Sequence, residues 1–356
     1  MVLHQDAALH DMMRCPRCQQ ENPEGGQFCI RCGLPLTPEA QAAYAMDAPR
    51  RNSPSRAGRF LSGIAKAVCY VLLFILIQSS VIGLYSMYYT VGEMSGIFAD
   101  AYSDPSALPE TFVYDMSEEL MQAVYENISV LTLISGILTI LFLAIFFALR
   151  RKNLFAECGL RPVKPSALLW CALAGTAFNV VLSVTISLLP LPEAWFAGLD
   201  EQYQYLGESN ILLEILSTAV ITGLVEEVIF RGLSESRMRR GMPGWLAVIL
   251  SALLFGVCHG TPIAIGYATL LGAVFSLMNR RYDSILPSVV MHMFFNAAAL
   301  WFVTNDTLLV LAMYLICLGV LLGSLYLYFR HPAEEDVPDE MPEAQTPSQT
   351  INNNQL

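Results

Sequence analysis

Eight apolar runs dominate the chain and leave it few ways to fold. They lie at about 64–89, 128–149, 166–189, 211–230, 245–258, 263–278, 285–303 and 308–329. Several reach the roughly 20 residues that an α-helix needs to cross about 30 Å of hydrocarbon. The chain is 54% hydrophobic and only 14% charged, against roughly 25% charged in a soluble domain. Lipid is therefore the expected solvent for most of it. That balance excludes a disordered protein, a nucleic-acid-binding protein and a simple soluble enzyme. The predicted fold class is all-α, a polytopic membrane helical bundle of about eight spans.

The arrangement of charge gives the topology. The net charge is −11, yet the loops between runs are sharply segregated. One set carries Arg150, Arg151, Lys152, Arg161 and Lys164, then Arg231, Arg237, Arg239 and Arg240, then Arg280 and Arg281. The other set, 90–127 and 190–210, has no Lys or Arg and many acids. This is the positive-inside pattern, and it predicts a multi-pass protein of the cell membrane with both termini cytoplasmic. Residues 1–14 have no apolar core, so no signal peptide is expected.

The runs also divide the chain. Residues 1–36 hold a cysteine cluster and 37–60 read as a linker rich in Pro, Ala and Arg. Residues 61–165 hold the first spans and an acidic outer loop, and 166–330 hold the polar residues at membrane depth. Residues 331–356 form an acidic tail that reads as disordered.

Cys15-Pro-Arg-Cys18 and Cys29-Ile-Arg-Cys32 are two CxxC pairs with ten residues between them. Each pair makes a turn that points two thiolates at one ion, and two turns complete a tetrahedral S₄ site suited to Zn²⁺. Four protein ligands leave no open position, so this zinc ribbon is expected to be structural. A fold of this size cannot bury enough apolar surface alone, so the metal would supply its stability. The alternatives are a redox dithiol or disulfides, which a cytoplasmic N-terminus disfavours. The other five cysteines read as small buried hydrophobes.

Ionisable residues at membrane depth are costly and point to function. The fourth run ends Glu226-Glu227-Val-Ile-Phe-Arg231. Glu227 and Arg231 are i,i+4 neighbours and can pair. Glu226 projects about 100° away around the helix, outside that pair. Two carboxylates in such different surroundings are what acid–base chemistry uses. The bland alternative is an ion pair that anchors a helix end. The fifth run carries Phe255 and His259, and the seventh carries His292 and Asn296 on one helix face. His259 raises a geometric difficulty. A straight fifth helix would put it about 20 Å along the span from the level of Glu226. That helix must tilt, or end inside the protein at Gly260-Thr261-Pro262.

The ordered set EExxxR (Glu226, Glu227, Arg231), FxxxH (Phe255, His259) and HxxxN (His292, Asn296) resembles the CPBP family of intramembrane proteases. That family includes CAAX prenyl endopeptidases and bacteriocin-processing and immunity proteins. The resemblance covers roughly 165–303 and implies an intramembrane endopeptidase. In it Glu226 would activate a water and His259 would help hold it. His292 and Asn296 would donate to the oxyanion, and Glu227 and Arg231 would orient the helix end. Whether a catalytic metal takes part is left open, since Glu226 and the two His could ligate one. The implied partners are the bilayer and a prenylated, membrane-associated or bacteriocin-like protein or peptide substrate. A cytoplasmic protein partner of the ribbon is a further candidate, and nucleic acid is not expected. The alternative functions are an inactive membrane receptor or scaffold and a proton-relaying transporter. For the ribbon, metal analysis of the purified chain is expected to give one zinc per chain. Cys29→Ser should lose it, and a metal-free, stably folded ribbon would refute the reading.

Overall fold

The computed structural model describes residues 12–15, 20–23, 25–30, 34–41, 55–103, 112–196, 210–301 and 306–330. They fall into two compact units, Met1–Ser55 and Arg56–Leu356. The acidic tail, most of the expected linker, and Cys18 and Cys32 lie outside the described residues.

In the first unit, β1 (Met12–Arg14) pairs antiparallel with β2 (Glu21–Pro23), Met12 opposite Pro23. Two similar backbone bonds join described residues on either side of each CxxC pair: Cys15 N–H to the Gln20 carbonyl (2.9 Å) and Cys29 N–H to the Leu34 carbonyl (2.8 Å). Cys15 and Cys29 are both buried. Asn22 links the two segments from the interior. Its Nδ2 donates to the Gln20 carbonyl (2.7 Å), and its Oδ1 accepts from the Ile30 N–H (2.9 Å).

Among the described residues of the second unit every regular element is a helix. In chain order it holds α1 (Arg56–Ser103), α2 (Phe112–Glu126), α3 (Ile128–Leu149), a short α4 (Leu154–Glu157) and α5 (Pro165–Leu188). Next comes α6, a continuous rod from Ile211 to Arg239. It alternates between α (Ile211–Glu214), π (Ile215–Ile221), α (Thr222–Glu226), π (Glu227–Glu235) and α (Ser236–Arg239). Then follow α7 (Gly244–Val257), α8 (Pro262–Tyr282), α9 (Leu286–Trp301) and α10 (Thr307–Arg330).

Among the described residues five helical segments are long and apolar enough to cross a membrane: Arg56–Ser95, Ile128–Leu149, Pro165–Leu188, Pro262–Tyr282 and Thr307–Tyr328. Their outer faces leave large apolar side chains uncovered, among them Leu76, Leu84, Ile145, Leu315 and Ile316. Apolar exposure on this scale suits lipid. Cys158 and Cys171 are buried as small hydrophobes, whereas Cys69 and Cys258 are exposed. The helix α1 runs well past the expected span at both ends, since no proline interrupts residues 56–103. The acidic loop is itself partly helical. Asn127 Nδ2 donates to the Tyr85 hydroxyl (2.9 Å), and that hydroxyl donates to the Ala123 carbonyl (3.2 Å), which pins α2 to α1.

The centre of this unit is α6. Every residue from Glu227 to Glu235 is buried. Val228, Ile229, Phe230 and Leu233 share a core cluster with Leu143, Phe147, Phe255 and Val289. The helices α1 and α3 pack on one flank of α6, α7 and α9 on others, and α5 and α8 close around α9. Gly260, at φ 80°, ends α7, and the Thr261 hydroxyl then caps α8 by accepting from the Ala264 N–H (3.3 Å). The Gly-Thr-Pro break is therefore a tight turn between two packed helices.

Close packing here depends on small residues, because lipid gives helices no hydrophobic reason to associate. A Cβ at Gly175 on α5 would collide with the Met291 carbonyl oxygen on α9. That approach fixes the height of His292, the next residue. Near the basic end, Arg237 and Lys152 hold Glu157 at 2.7 and 2.8 Å. The Lys152 hydrogen bond, with Arg237 beside it, keeps the Glu157 carboxyl below the usual carboxylate range. Gly175→Ala is expected to destabilise the fold by about 1–3 kcal/mol. It should also lower the thermal midpoint in detergent. Gly83→Ala, on an open face of α1, should not.

Candidate active site

The site is built around two fully buried charges. Arg231 Nη1 donates to Glu227 Oε1 at 2.8 Å, with both side chains essentially without solvent exposure. Both lie in the second π stretch of α6. The guanidinium carbon sits 4.2 Å from the centre of the Phe255 ring on α7 and 5.2 Å from that of Phe275 on α8. Aromatic faces attract a cation most when water is excluded. Gly272 keeps the space open, since a Cβ there would lie 3.0 Å from Arg231 Nη2.

Glu227 also positions His292 of α9. The Nδ1 of His292 lies 3.1 Å from Glu227 Oε1. A carboxylate held by Arg231 can only accept, so Nδ1 carries the hydrogen. The imidazole stacks on Phe275 at 4.9 Å between centroids, 29° between planes. Its Nε2 then faces Glu226, 3.6 Å from Oε2. Glu226 keeps partial exposure, 15% of its side chain against 0% for Glu227. The two adjacent glutamates thus differ as their helical angles imply. One is locked in an ion pair, and the other faces a histidine and some solvent.

His259 joins the group through Phe255. The Phe255 ring lies 4.7 Å from the His259 ring and 5.9 Å from the His292 ring, edge to face in each case. The Nδ1 of His259 donates to the Phe255 carbonyl at 2.9 Å, which leaves Nε2 as the acceptor of a neutral ring. The rod α6 continues to Arg239, so Glu226 stands thirteen residues, about 20 Å, from that end, much as His259 stands from Gly244 at the start of α7, and this resolves the depth problem posed by the sequence. The helix α7 packs beside α6 and α8. Asn296, one turn beyond His292, donates from Nδ2 to the Thr218 carbonyl at 2.9 Å. Thr218 lies in the first π stretch of α6, so Asn296 ties α9 to α6 and keeps one amide hydrogen for other work.

Glu226, Glu227, Arg231 and His292 therefore form one contiguous cluster. His259 is placed beside it by an aromatic ring, and Asn296 flanks it along α9. Sequence reasoning missed Phe275 and Thr218. Phe275 is one aromatic among many apolar residues, and Thr218 contributes only a backbone carbonyl. Sequence reasoning also missed the polar trio Glu235, Ser276 and Asn279, although Ser276 and Asn279 interrupt an otherwise apolar helix. Among the described residues no three His, Cys, Asp or Glu side chains converge as a metal cage. Of the four cysteines expected to form a zinc ribbon, Cys15 and Cys29 are described and Cys18 and Cys32 lie outside the described residues.

Glu227→Gln leaves Arg231 as a buried charge without its counter-ion. Breaking such a pair costs about 3–5 kcal/mol. Thermal unfolding in detergent should show that loss for Glu227→Gln and little change for Glu226→Gln. Equal midpoints for the two variants would contradict the assignment of Glu227 as the structural carboxylate.

No curated protein and no solved structure matches the chain. Residues 208–298, which carry Glu226, Glu227, Arg231, His259, His292 and Asn296, match the family model described as type II CAAX prenyl endopeptidase Rce1-like.

Proposed function

We propose that the chain is a CPBP-type intramembrane endopeptidase that hydrolyses peptide bonds of prenylated CAAX-type or other membrane-associated substrates, bacteriocin-like precursors included. The observation that carries this reading is the unequal pair of glutamates. Glu226 is partly exposed and faces His292 Nε2, while Glu227 is sealed against Arg231. The family match over the same segment supports it.

The chemistry is written with the chain's own residues. Glu226 accepts a proton from water as the oxygen adds to the scissile carbonyl carbon. The Nε2 acceptor of His259 orients that water. The carbonyl oxygen becomes an oxyanion and takes the remaining Asn296 amide hydrogen. A protonated His292 adds a second donor at Nε2, its Nδ1 hydrogen being held by Glu227. The intermediate then collapses. The C–N bond breaks as the protonated Glu226 gives its proton to the leaving amine, and the new carboxyl group passes its remaining proton to that amine, so the products part as carboxylate and ammonium.

The same reading places eight spans in the cell membrane, with both termini and the arginine-rich loops on the cytoplasmic side. The ribbon holds a structural Zn²⁺ through Cys15, Cys18, Cys29 and Cys32, and binds a cytoplasmic protein partner. The decisive assay is cleavage of a prenylated CAAX peptide by purified protein in detergent. Glu226→Gln keeps shape and hydrogen bonding but cannot take a proton. Its turnover should fall by about 10²–10⁴-fold, the usual worth of a general base. Cleavage by this variant at the wild-type rate would overturn the mechanism.

A further inference from the structure

The helix α10 packs along α5 but scarcely touches α8. Between α8 and α10, with α5 and α9 as the floor, lies a cavity of about 480 Å³. We propose that this gap holds one acyl chain of an anionic phospholipid, with the headgroup phosphate on Arg281. The proposal does not use the endopeptidase reading. It needs only that the bundle lies in lipid.

The walls set the class of occupant. Ala174 and Phe178 of α5, Val274 and Met278 of α8, Met291 of α9 and Leu321 of α10 line the cavity. Ser324 of α10 also reaches it, but its hydroxyl donates to the Val320 carbonyl at 2.8 Å. A polar ligand would lose its hydration against such walls and gain little in return. The volume is that of a small-molecule site, roughly 300–1,000 Å³. The rim residues Trp170, Leu277 and Leu325 are exposed. In a membrane they meet hydrocarbon tails, so the medium beside the gap already consists of the proposed occupant.

One end of the cavity supplies the charge. Arg281 Nη1 donates to the Tyr328 carbonyl at 2.7 Å, which ties the ends of α8 and α10 together. Its guanidinium carbon lies 4.9 Å from the centre of the Tyr328 ring and 5.9 Å from that of Tyr282. These contacts fix the guanidinium at the mouth without neutralising it. Among the described residues no carboxylate pairs with Arg281, and the nearby Asp283 pairs with Arg161. Exposed Lys164 at the start of α5 and Arg330 just after Tyr328 stand at the same end. Basic pockets between membrane helices take anionic headgroups in this way. Trp170, Tyr282 and Tyr328 mark the level, since such rings favour the boundary between lipid and water.

The prenyl chain of a substrate fits this gap less well. No residue of α6 lines it, and neither do His259 and His292. Met291 faces the gap, whereas His292, the next residue, faces Glu226 and Glu227 from a different side of α9. The cavity thus lies behind the polar cluster. Its lining residues Cys171, Ala174 and Met291 share a core cluster with Phe275, the ring on which His292 stacks. A lipid tail in the gap completes the packing that supports His292 from the back.

The test is lipid retention by the full-length protein in detergent, offered an equimolar mixture of phosphatidylglycerol and phosphatidylcholine. Native mass spectrometry should find one phosphatidylglycerol per chain. That lipid should also raise the thermal midpoint more than phosphatidylcholine does. Arg281→Gln should lose about tenfold in affinity for phosphatidylglycerol, the worth of one charge-assisted hydrogen bond, with phosphatidylcholine binding unchanged. Ser324→Phe places a ring in the gap and should lose both lipids. Val274→Phe fills the same gap from α8 and reports where Ser324→Phe folds poorly. A wild type that retains no lipid, an unchanged preference in Arg281→Gln, or lipid kept in both filled variants would overturn the site. Farnesol that displaces phosphatidylglycerol at equal concentration would give the gap to an isoprenoid chain and overturn the assignment as well. Glu226→Gln should retain the lipid as the wild type does, so failure of the cleavage mechanism and failure of the lipid site are read separately.

Discussion

A guanidinium and a carboxylate are buried together at the centre of an apolar bundle, and the surrounding helices are arranged to make that tolerable. Removing two charges from water costs several kcal/mol per ion before any attraction is regained. The Glu227–Arg231 contact recovers part of that at 2.8 Å. The rings of Phe255 and Phe275 contribute further attraction from two more helices. His292 supplies Glu227 with another donor from α9. Thus α6, α7, α8 and α9 all meet at one ion pair. Displacing any of them would leave part of a charge uncompensated in a medium that cannot solvate it.

That arrangement separates two chemically identical neighbours. Glu226 and Glu227 are consecutive, yet the turn of the helix gives one to the interior and leaves the other beside solvent. His292 touches both, donating at Nδ1 to the sealed carboxylate and presenting Nε2 to the open one. A ring nitrogen held on one side is fixed in direction on the other, which is how a buried carboxylate orients a histidine in hydrolytic triads. The rigid part of the cluster is therefore the sealed carboxylate, and the open one keeps its freedom.

Much of this was legible in the residues. The apolar runs marked the helices, and i,i+4 spacing marked Glu227 with Arg231 and His292 with Asn296. What escaped the sequence depends on tertiary contacts or on backbone geometry. Phe275 is recognisable as a stacking partner only once α8 lies against α9. The extension of α1 and the folding back of α2 rest on Tyr85 and Asn127, polar residues that periodicity does not flag. The depth mismatch of His259 rests on ending the fourth run at Phe230, and the continuation of α6 to Arg239 removes it, because apolar periodicity does not reveal a helix that carries on through arginines and serines. The eight runs include three that form helices shorter or less regular than the five clear spans. Periodicity alone cannot assign those three a depth.

The π stretches of α6 have a consequence for how this segment can change over generations. A π turn bonds i to i+5, and such bulges are found mostly at functional sites. Here the second one holds the stripe from Glu227 to Glu235 on one face. A π turn absorbs one extra residue locally, so losing a single residue inside it would let the rod relax to ordinary α spacing while the α segments on either side keep nearly the same relative phase. The same loss within an α segment would instead turn everything beyond it by about 100° relative to Glu226. Changes of length are thus absorbed at the bulges and nowhere else along the rod, a grammar of phase more than of letters.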